Sequence, residues 1–236
     1  MKSTQSRDIR WAEAAPVGAG RSLKAVWLQP SELPQWDEYV RHHPLGSVFH
    51  LSNWKSVLEK SFPHIEGSVL ALQQIDTGRL IAGIPVYTVR SWLLGNRLVS
   101  IPYASICDPL LDCHSDSSAT SPCGYAPAFA NVAACQEQLD LLIPPLLEKA
   151  KAFSARWVEL RTMRAKSLFA GFGWNAHRTF KHHYIELRAD LEQLLNTFSR
   201  SNVRKRLRKA ERLSVRVRRG TTEAEYAAFC RMFLQT

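Results

Sequence analysis

The segment Ser199-Arg200-Ser201-Asn202-Val203-Arg204-Lys205-Arg206-Leu207-Arg208-Lys209-Ala210-Glu211-Arg212 holds most of the chain's excess charge. From Thr197 to Gly220 there are ten basic residues and one acid, a net +9 in 24 residues against +10 for all 236. The remainder is therefore close to neutral. Charge confined to one segment implies one positive surface facing something negative, such as a nucleotide, RNA or an anionic membrane. Eight of the ten cations are arginines, whose planar fork suits phosphate oxygens. A helix is predicted from about Ser201 to Arg212. On a 100° wheel Val203, Leu207 and Ala210 form a narrow apolar stripe, and the basic residues cover most of the remaining arc. Like charges at Arg204/Arg208, Lys205/Lys209 and Arg208/Arg212 repel, each by a few tenths of a kcal/mol. That repeated cost points to an anionic, phosphate-bearing partner for Arg204, Lys205, Arg208, Lys209 and Arg212.

Outward from this helix the pattern alternates strands and helices. Leu23 to Leu28 reads as a strand. Helices are predicted after Ser31, with Leu33, Trp36, Tyr39 and Val40 on one face, and after Ser52 as N-cap, with Trp54, Val57, Leu58 and Phe62. Ser68 to Ile75 and Leu80 to Val89, joined by Asp76-Thr77-Gly78-Arg79, read as a β-hairpin. Arg97 to Pro102, Trp157 to Arg161 and His182 to Leu187 are further strand candidates. Val132 to Phe153 is helical in pattern, with a break or kink expected at Pro144-Pro145. Residues 103–131 form the longest irregular stretch. Val215 and Val217 alternate with Arg216 and Arg218 as in a half-buried strand. Thr222 and Glu225 form a capping box for a last helix with Tyr226, Phe229, Cys230 and Phe233 on its apolar face.

At 45% hydrophobic and 22% charged residues, the composition is that of a globular protein large enough for a core. Residues 1–22 read as a disordered leader. Met1 to Lys24 has no apolar core of secretory type, and no stretch approaches the roughly 20 apolar residues of a membrane span. The expectation is a cytoplasmic protein without transmembrane segment, in peripheral contact at most with an anionic membrane. The five cysteines, an odd number without a C-x-x-C pair, are expected to be reduced. Cys107, Cys113, His114 and Cys123 match no standard zinc spacing, so no metal site is expected.

The basic segment resembles one in FemAB-like proteins of the GNAT acyltransferase superfamily, of the exopolysaccharide- and exosortase-associated type. Those proteins show an Arg, two residues, an aliphatic residue and then Arg-Lys-Ala-Glu-Arg/Lys. A Val-rich strand and an aromatic helix follow, as in Val215 to Phe233. Val48-Phe49-His50-Leu51-Ser52-Asn53-Trp54 is similar to the family's entry to its second helix. Gly83-Ile84-Pro85-Val86, Leu94 to Tyr103 and Val158-Glu159-Leu160-Arg161 are similar to its sheet and loop segments. Cys107-Asp108 precede Pro109 where the family tends to have Gly-Gly.

This resemblance implies an α/β fold with a mixed, twisted GNAT-like sheet flanked by helices. It implies a first lobe over residues 23–188, with the basic helix and the beginning of an incomplete second lobe over 189–236. It further implies transfer of an acyl or aminoacyl group to an amine in cell-envelope or exopolysaccharide metabolism, with acyl-CoA or aminoacyl-tRNA as donor and no covalently bound cofactor. Neither a Ser-His-Asp set nor a cysteine nucleophile is evident from spacing, so no catalytic residue is assigned. His50 and Trp54 at a helix entrance, Tyr103 and Asp108 at the start of the long loop, and Arg161 at a strand end are the candidate substrate-binding residues. The alternative reading is a non-catalytic module that binds nucleic acid or an anionic surface through residues 200–219.

Overall fold

The computed structural model describes residues 22–112, 131–174, 185, 187 and 189–235. The expected leader, except Ser22, the strand at His182–Leu187, except Ile185 and Leu187, and much of the long irregular stretch lie outside them. The chain divides into two compact units, Met1–Phe180 and Lys181–Thr236. The sequence reading placed the division at 188/189.

The first unit is a mixed α/β layer structure. Six strands, β1 (Leu23–Trp27), β2 (Ile65–Gln74), β3 (Leu80–Val89), β4 (Arg97–Val99), β5 (Leu110–Leu111) and β6 (Trp157–Glu159), form one sheet. Its order is β1-β2-β3-β4-β6, with β5 also paired to β3. All pairs are antiparallel except β4–β6, which is parallel. Every residue of β3 is buried, because helices cover both faces of this central strand.

The alternation of side chains divides the core. Leu70 and Leu72 of β2 and Ala82, Ile84 and Val86 of β3 pack with helix α3 (Val132–Ala152). On the other face Val69 and Ala71 meet Trp36 and Val40 of α1 (Leu33–His42). Tyr87 and Val89 meet Leu58 of α2 (Ser52–Ser61). Gly83 is required by this packing: a Cβ there would lie 2.6 Å from Trp36 Cζ3 and 3.0 Å from the Leu70 carbonyl oxygen. Pro85 falls between the β5 and β4 ladders, where β3 has a partner only on the β2 side. A missing N–H is tolerated in such a stretch.

Several local expectations are corrected. Ser52 is the first residue of α2, not its cap. Its N–H and hydroxyl donate to the Asp37 carboxylate of α1, at 2.8 and 2.6 Å. Of the break or kink expected at Pro144-Pro145, the break does not occur: α3 is continuous through both prolines. The carbonyl that Pro144 leaves without its helical donor belongs to exposed Asp140, so water can reach it. Cys107 and Cys230 are free thiols, whereas Cys135 is disulfide-bonded, against the expectation of wholly reduced cysteines.

In the second unit Leu191–Thr197 is α4, capped by the Asp190 carboxylate, which accepts from the N–H groups of Glu192 and Gln193. A turn of π-type hydrogen bonding, Arg200–Arg204, leads into α5 (Lys205–Arg212). Residues 215–220 are not a strand, and Val217 is 95% exposed. No described strand pairs with this segment, and a strand needs a partner to complete its hydrogen bonds. Helix α6 (Glu223–Leu234) has the expected capping box, with Thr222 Oγ1 accepting from Glu225 N–H and the Glu225 carboxylate accepting from Thr222 N–H. No described residue of this unit is buried.

Candidate functional site

The parallel pair β4–β6 is the exception in the sheet, and the candidate residues of the first unit gather beyond its carboxyl end. Backbone pairing runs in register from Arg97–Trp157 to Val99–Glu159. Ser100 N–H then donates to the Glu159 carbonyl at 2.9 Å. At the next step the Ser100 hydroxyl oxygen, not a carbonyl, accepts from Arg161 N–H at 2.9 Å. A side chain thus replaces the ladder where the two strands cease to pair. Carboxyl ends of parallel strands are common places for ligands.

Arg161 continues the construction. Its carbonyl accepts from Cys107 N–H at 2.7 Å. Its guanidinium donates through Nε to Glu159 Oε1 at 2.7 Å and through Nη1 to the Ala104 carbonyl at 2.6 Å. Its Nη2 has no partner among the described residues, and the side chain remains 34% exposed. Arg161 therefore fastens the loop after β4 while still presenting positive charge.

Asp108 is buried, and its Oδ1 accepts from the N–H groups of Met163, Arg164 and Ala165, each at 3.0 Å. It caps the 3₁₀ turn Ala165–Phe172, whose own preceding residue supplies no side-chain cap. The Asp108 carbonyl accepts from His50 Nε2 at 2.9 Å. His50 Nδ1 faces Ser47, accepting from its N–H at 3.2 Å with its hydroxyl at 2.8 Å. An Nδ1 that accepts fixes the neutral tautomer with its proton on Nε2. Burial holds the His50 pKa below its ordinary value, although the hydrogen bond to the Asp108 carbonyl opposes the shift.

Trp54 stands edge-on to Phe49, with ring centroids 5.1 Å apart, and both pack with Phe62 against the core below α2. Its indole Nε1 is buried without a hydrogen-bond partner. Tyr103 stacks on Phe62 at 4.5 Å and is 63% exposed. Its φ of 58° lies in the left-handed region, uncommon for a residue with a Cβ. The structure thus links His50 to Asp108 and Arg161 through the 100–108 segment, and Trp54 to Tyr103 through Phe62. Ser100 and Glu159 belong to the same construction. Sequence reasoning missed them as site residues although both stand in segments that resemble the family, because their roles arise only from contacts with Arg161.

Cys107 sits in this region with no exposed surface, and burial followed by the nearby Asp108 charge pushes its thiol pKa up. A thiolate nucleophile is disfavoured there. What remains suits binding and positioning: a partly exposed guanidinium and an exposed phenol, with the buried Ser100 hydroxyl holding the Arg161 backbone.

In the second unit, Arg200, Ser201, Lys205, Arg208, Glu211 and Arg212 line an open depression of ≈ 790 Å³. Lys205, Arg208 and Arg212 recur at i, i+3 and i+7, so they share one face of α5. Arg204 does not line it; its Nη1 donates to Asn196 Oδ1 at 3.0 Å. Lys209 is exposed outside the depression. The structure therefore brings together three of the five expected anion-binding residues and adds Arg200. No group of His, Cys, Asp and Glu among the described residues could hold a metal ion. No helix among them is long and apolar enough to cross a membrane.

No family model matches the sequence, and no curated protein matches it. Among solved structures, the chain is similar to an acetyltransferase from Trypanosoma brucei, at 18% identity over 69% of this chain and 99% of that one, with a TM-score of 0.43. It is similar also to glucosamine-6-phosphate N-acetyltransferase from Arabidopsis thaliana, at 12% identity over 70% and 99% of the two chains, with a TM-score of 0.42. A third is ribosomal-protein-alanine N-acetyltransferase from Brucella melitensis, at 12% identity over 68% and 99%, with a TM-score of 0.41.

Proposed function

We propose that the chain is an N-acyltransferase of the GNAT type, FemAB-like in its relationships, that moves an activated acyl or aminoacyl group to an amine. The observation that carries this reading is the parallel β4–β6 pair, closed at its carboxyl end by Ser100 and Arg161. It coincides with the strand segments in which the sequence resembles that superfamily. Arg161, through its partly exposed guanidinium, and Tyr103, through its exposed phenol, contact substrate in this reading. His50, Asp108 and Trp54 hold the loop that presents them. Direct transfer suits the site, since Cys107 is buried in its thiol form. The reaction needs a deprotonated amine and donors for the developing oxyanion.

The donor we propose is phosphate-bearing, acyl-CoA or aminoacyl-tRNA, with its phosphates bound by Lys205, Arg208 and Arg212 together with Arg200, the three expected residues that share the depression and the one that joins them. The acceptor is an amine of a cell-envelope or exopolysaccharide precursor. The test is thiol release from a panel of acyl-CoA thioesters, with amide product identified by mass spectrometry, and parallel transfer from charged tRNA. The variant Lys205→Ala/Arg208→Ala/Arg212→Ala is expected to raise donor KM about tenfold or more, each charge-assisted phosphate contact contributing on the order of 1 kcal/mol at an exposed site. Absence of transfer from every donor with every amine would sink the proposal.

The +9 segment supports a second reading, a non-catalytic nucleic-acid-binding module. It predicts RNA binding whose logarithm falls linearly with the logarithm of salt concentration, for any sequence. RNA binding of that kind without transfer would favour this reading, and no RNA affinity at low salt would reject it.

A further inference from the structure

The turn joining β3 to β4 carries a feature that acyl transfer does not use. Trp92 is 96% exposed, Leu93 71% and Leu94 51%, three consecutive large apolar side chains at the tip. The turn that presents them is ordered. Gly95 N–H donates to the Ser91 carbonyl at 2.9 Å, and Leu94 N–H donates to Ser91 Oγ at 3.0 Å. Gly95 takes a φ of +81°, and the Arg156 side chain runs along it, 3.4 Å from where a Cβ would stand. Asn96 fastens the base, with its carbonyl accepting from Arg156 N–H and its amide donating to the Phe153 carbonyl. Two of the tip's N–H groups are thus satisfied within the turn, so moving it out of water leaves neither stranded.

Cations surround this tip. Arg90, Arg97 and Arg156 lie at its base; Arg90 pairs with the exposed Glu66 at 3.6 Å and also stands over the Phe153 ring. A depression of ≈ 610 Å³ at the foot of the turn is lined by His64, Arg90, Asn96 and Arg97 together with the tip. Arg97 Nε is buried there without a hydrogen-bond partner. An apolar wedge headed by tryptophan, with arginines set behind it, matches the layering of a bilayer surface: acyl chains outermost from the protein, then headgroup phosphates.

We propose that residues 91–96 form a membrane-contact element that inserts Trp92, Leu93 and Leu94 into the interface of an anionic bilayer, with Arg90, Arg97 and Arg156 against lipid phosphates. The element is separate from the basic segment of residues 200–219, and the occupant is a lipid surface. It does not depend on the acyltransferase reading.

The test is co-flotation of the full chain with vesicles of phosphatidylcholine, alone or with about a third phosphatidylglycerol, at a fixed ionic strength near physiological. Wild type is expected to float with the anionic vesicles and far less with the neutral ones. Trp92→Ser/Leu93→Ser, both at exposed positions, is expected to lower partition by about tenfold or more, since burying one large apolar side chain is worth more than that factor. Arg156→Gln is expected to lower it by about fivefold, from the energy of one basic residue near such a surface. Trp92→Phe keeps the partition but loses the part of the emission that brominated lipid quenches. Failure of wild type to float, equal flotation with neutral vesicles, or full partition of the double variant overturns the proposal. A concentration-dependent dimer in wild-type sedimentation that disappears in the double variant also overturns it, making the patch a contact between copies.

Discussion

Replacing Asp108 separates a structural carboxylate from a substrate contact. Its Oδ1 serves three backbone donors, at residues 163, 164 and 165, more than 50 positions away in sequence. Of these, Ala165 has no exposed surface, while Met163 and Arg164 are half-buried. Asp108→Ala strands the Ala165 N–H at about 1–3 kcal/mol and costs roughly 1 kcal/mol for each of the other two, which water can partly satisfy. The expected total is about 3–5 kcal/mol. Asp108→Asn keeps an acceptor oxygen in place and loses the charge assistance, so its cost is about 1–2 kcal/mol. Urea denaturation at neutral pH, read through the midpoint at constant m-value, measures both. The order alanine, then asparagine, then wild type is required. An alanine variant within about 1 kcal/mol of wild type would refute the reasoning, since three buried-end hydrogen bonds cannot be lost at that cost. Paired with the transfer assay, the asparagine variant also decides the residue's role. A frame residue gives a stability loss with transfer retained at low temperature, and a substrate contact gives loss of transfer at nearly full stability.

His50 carries a pH signature. Its folded pKa lies below the ordinary 6.5 because of burial, so below that pH the unfolded chain binds more protons than the folded one. Its contribution is fully present above about pH 6.5 and is lost as the pH falls toward the depressed value, with a slope of up to about 1.4 kcal/mol per unit. Urea midpoints between about pH 7.5 and 5.5 should fall more steeply for wild type than for His50→Gln, and equal slopes would contradict the assignment. Gly83→Ala forces a methyl against the Trp36 ring and is expected to cost about 1–3 kcal/mol, lowering Tm by roughly 2–9 °C in a calorimetric scan. An unchanged Tm would mean that α1 can shift without penalty.

The parts of the fold legible in the sequence are those with a local signal. The β2–β3 hairpin was readable because apolar residues run on both sides of Asp76-Thr77-Gly78-Arg79, and Gly78 takes the left-handed φ of +69° that such a turn favours. Helices α1, α2 and α6 showed their apolar spacing. Strand β5 was hidden in the long irregular stretch because it is two residues long and exists only through its pairing with β3. Val215 and Val217 erred the other way: alternation describes a strand only when a neighbour completes it. The cap of α2 comes from Asp37, 15 residues earlier, so reading Ser52 as its own cap assigned the right hydroxyl to the wrong bond.

The candidate site was legible by residue type and opaque in geometry, and α5 shows why. Its charge is visible from the sequence, but which cations share a face depends on helical phase. A single 100° wheel over 201–212 assumes α-geometry throughout. In the structure Arg204 N–H donates to the Ser199 carbonyl at 3.1 Å and Lys205 N–H to the Arg200 carbonyl, both five-residue steps at the entry to α5. Such a π-turn adds residues per turn and rotates everything before it relative to everything after. Arg204 is thereby turned to Asn196, while Lys205, Arg208 and Arg212 line the depression with Arg200. The apolar stripe finds no buried contact among the described residues: Leu207 remains 44% exposed, and neither Val203 nor Ala210 is buried. Net charge can be summed from a sequence because it is additive. A binding face cannot, because one changed hydrogen bond redistributes the same charges between two sides of a helix.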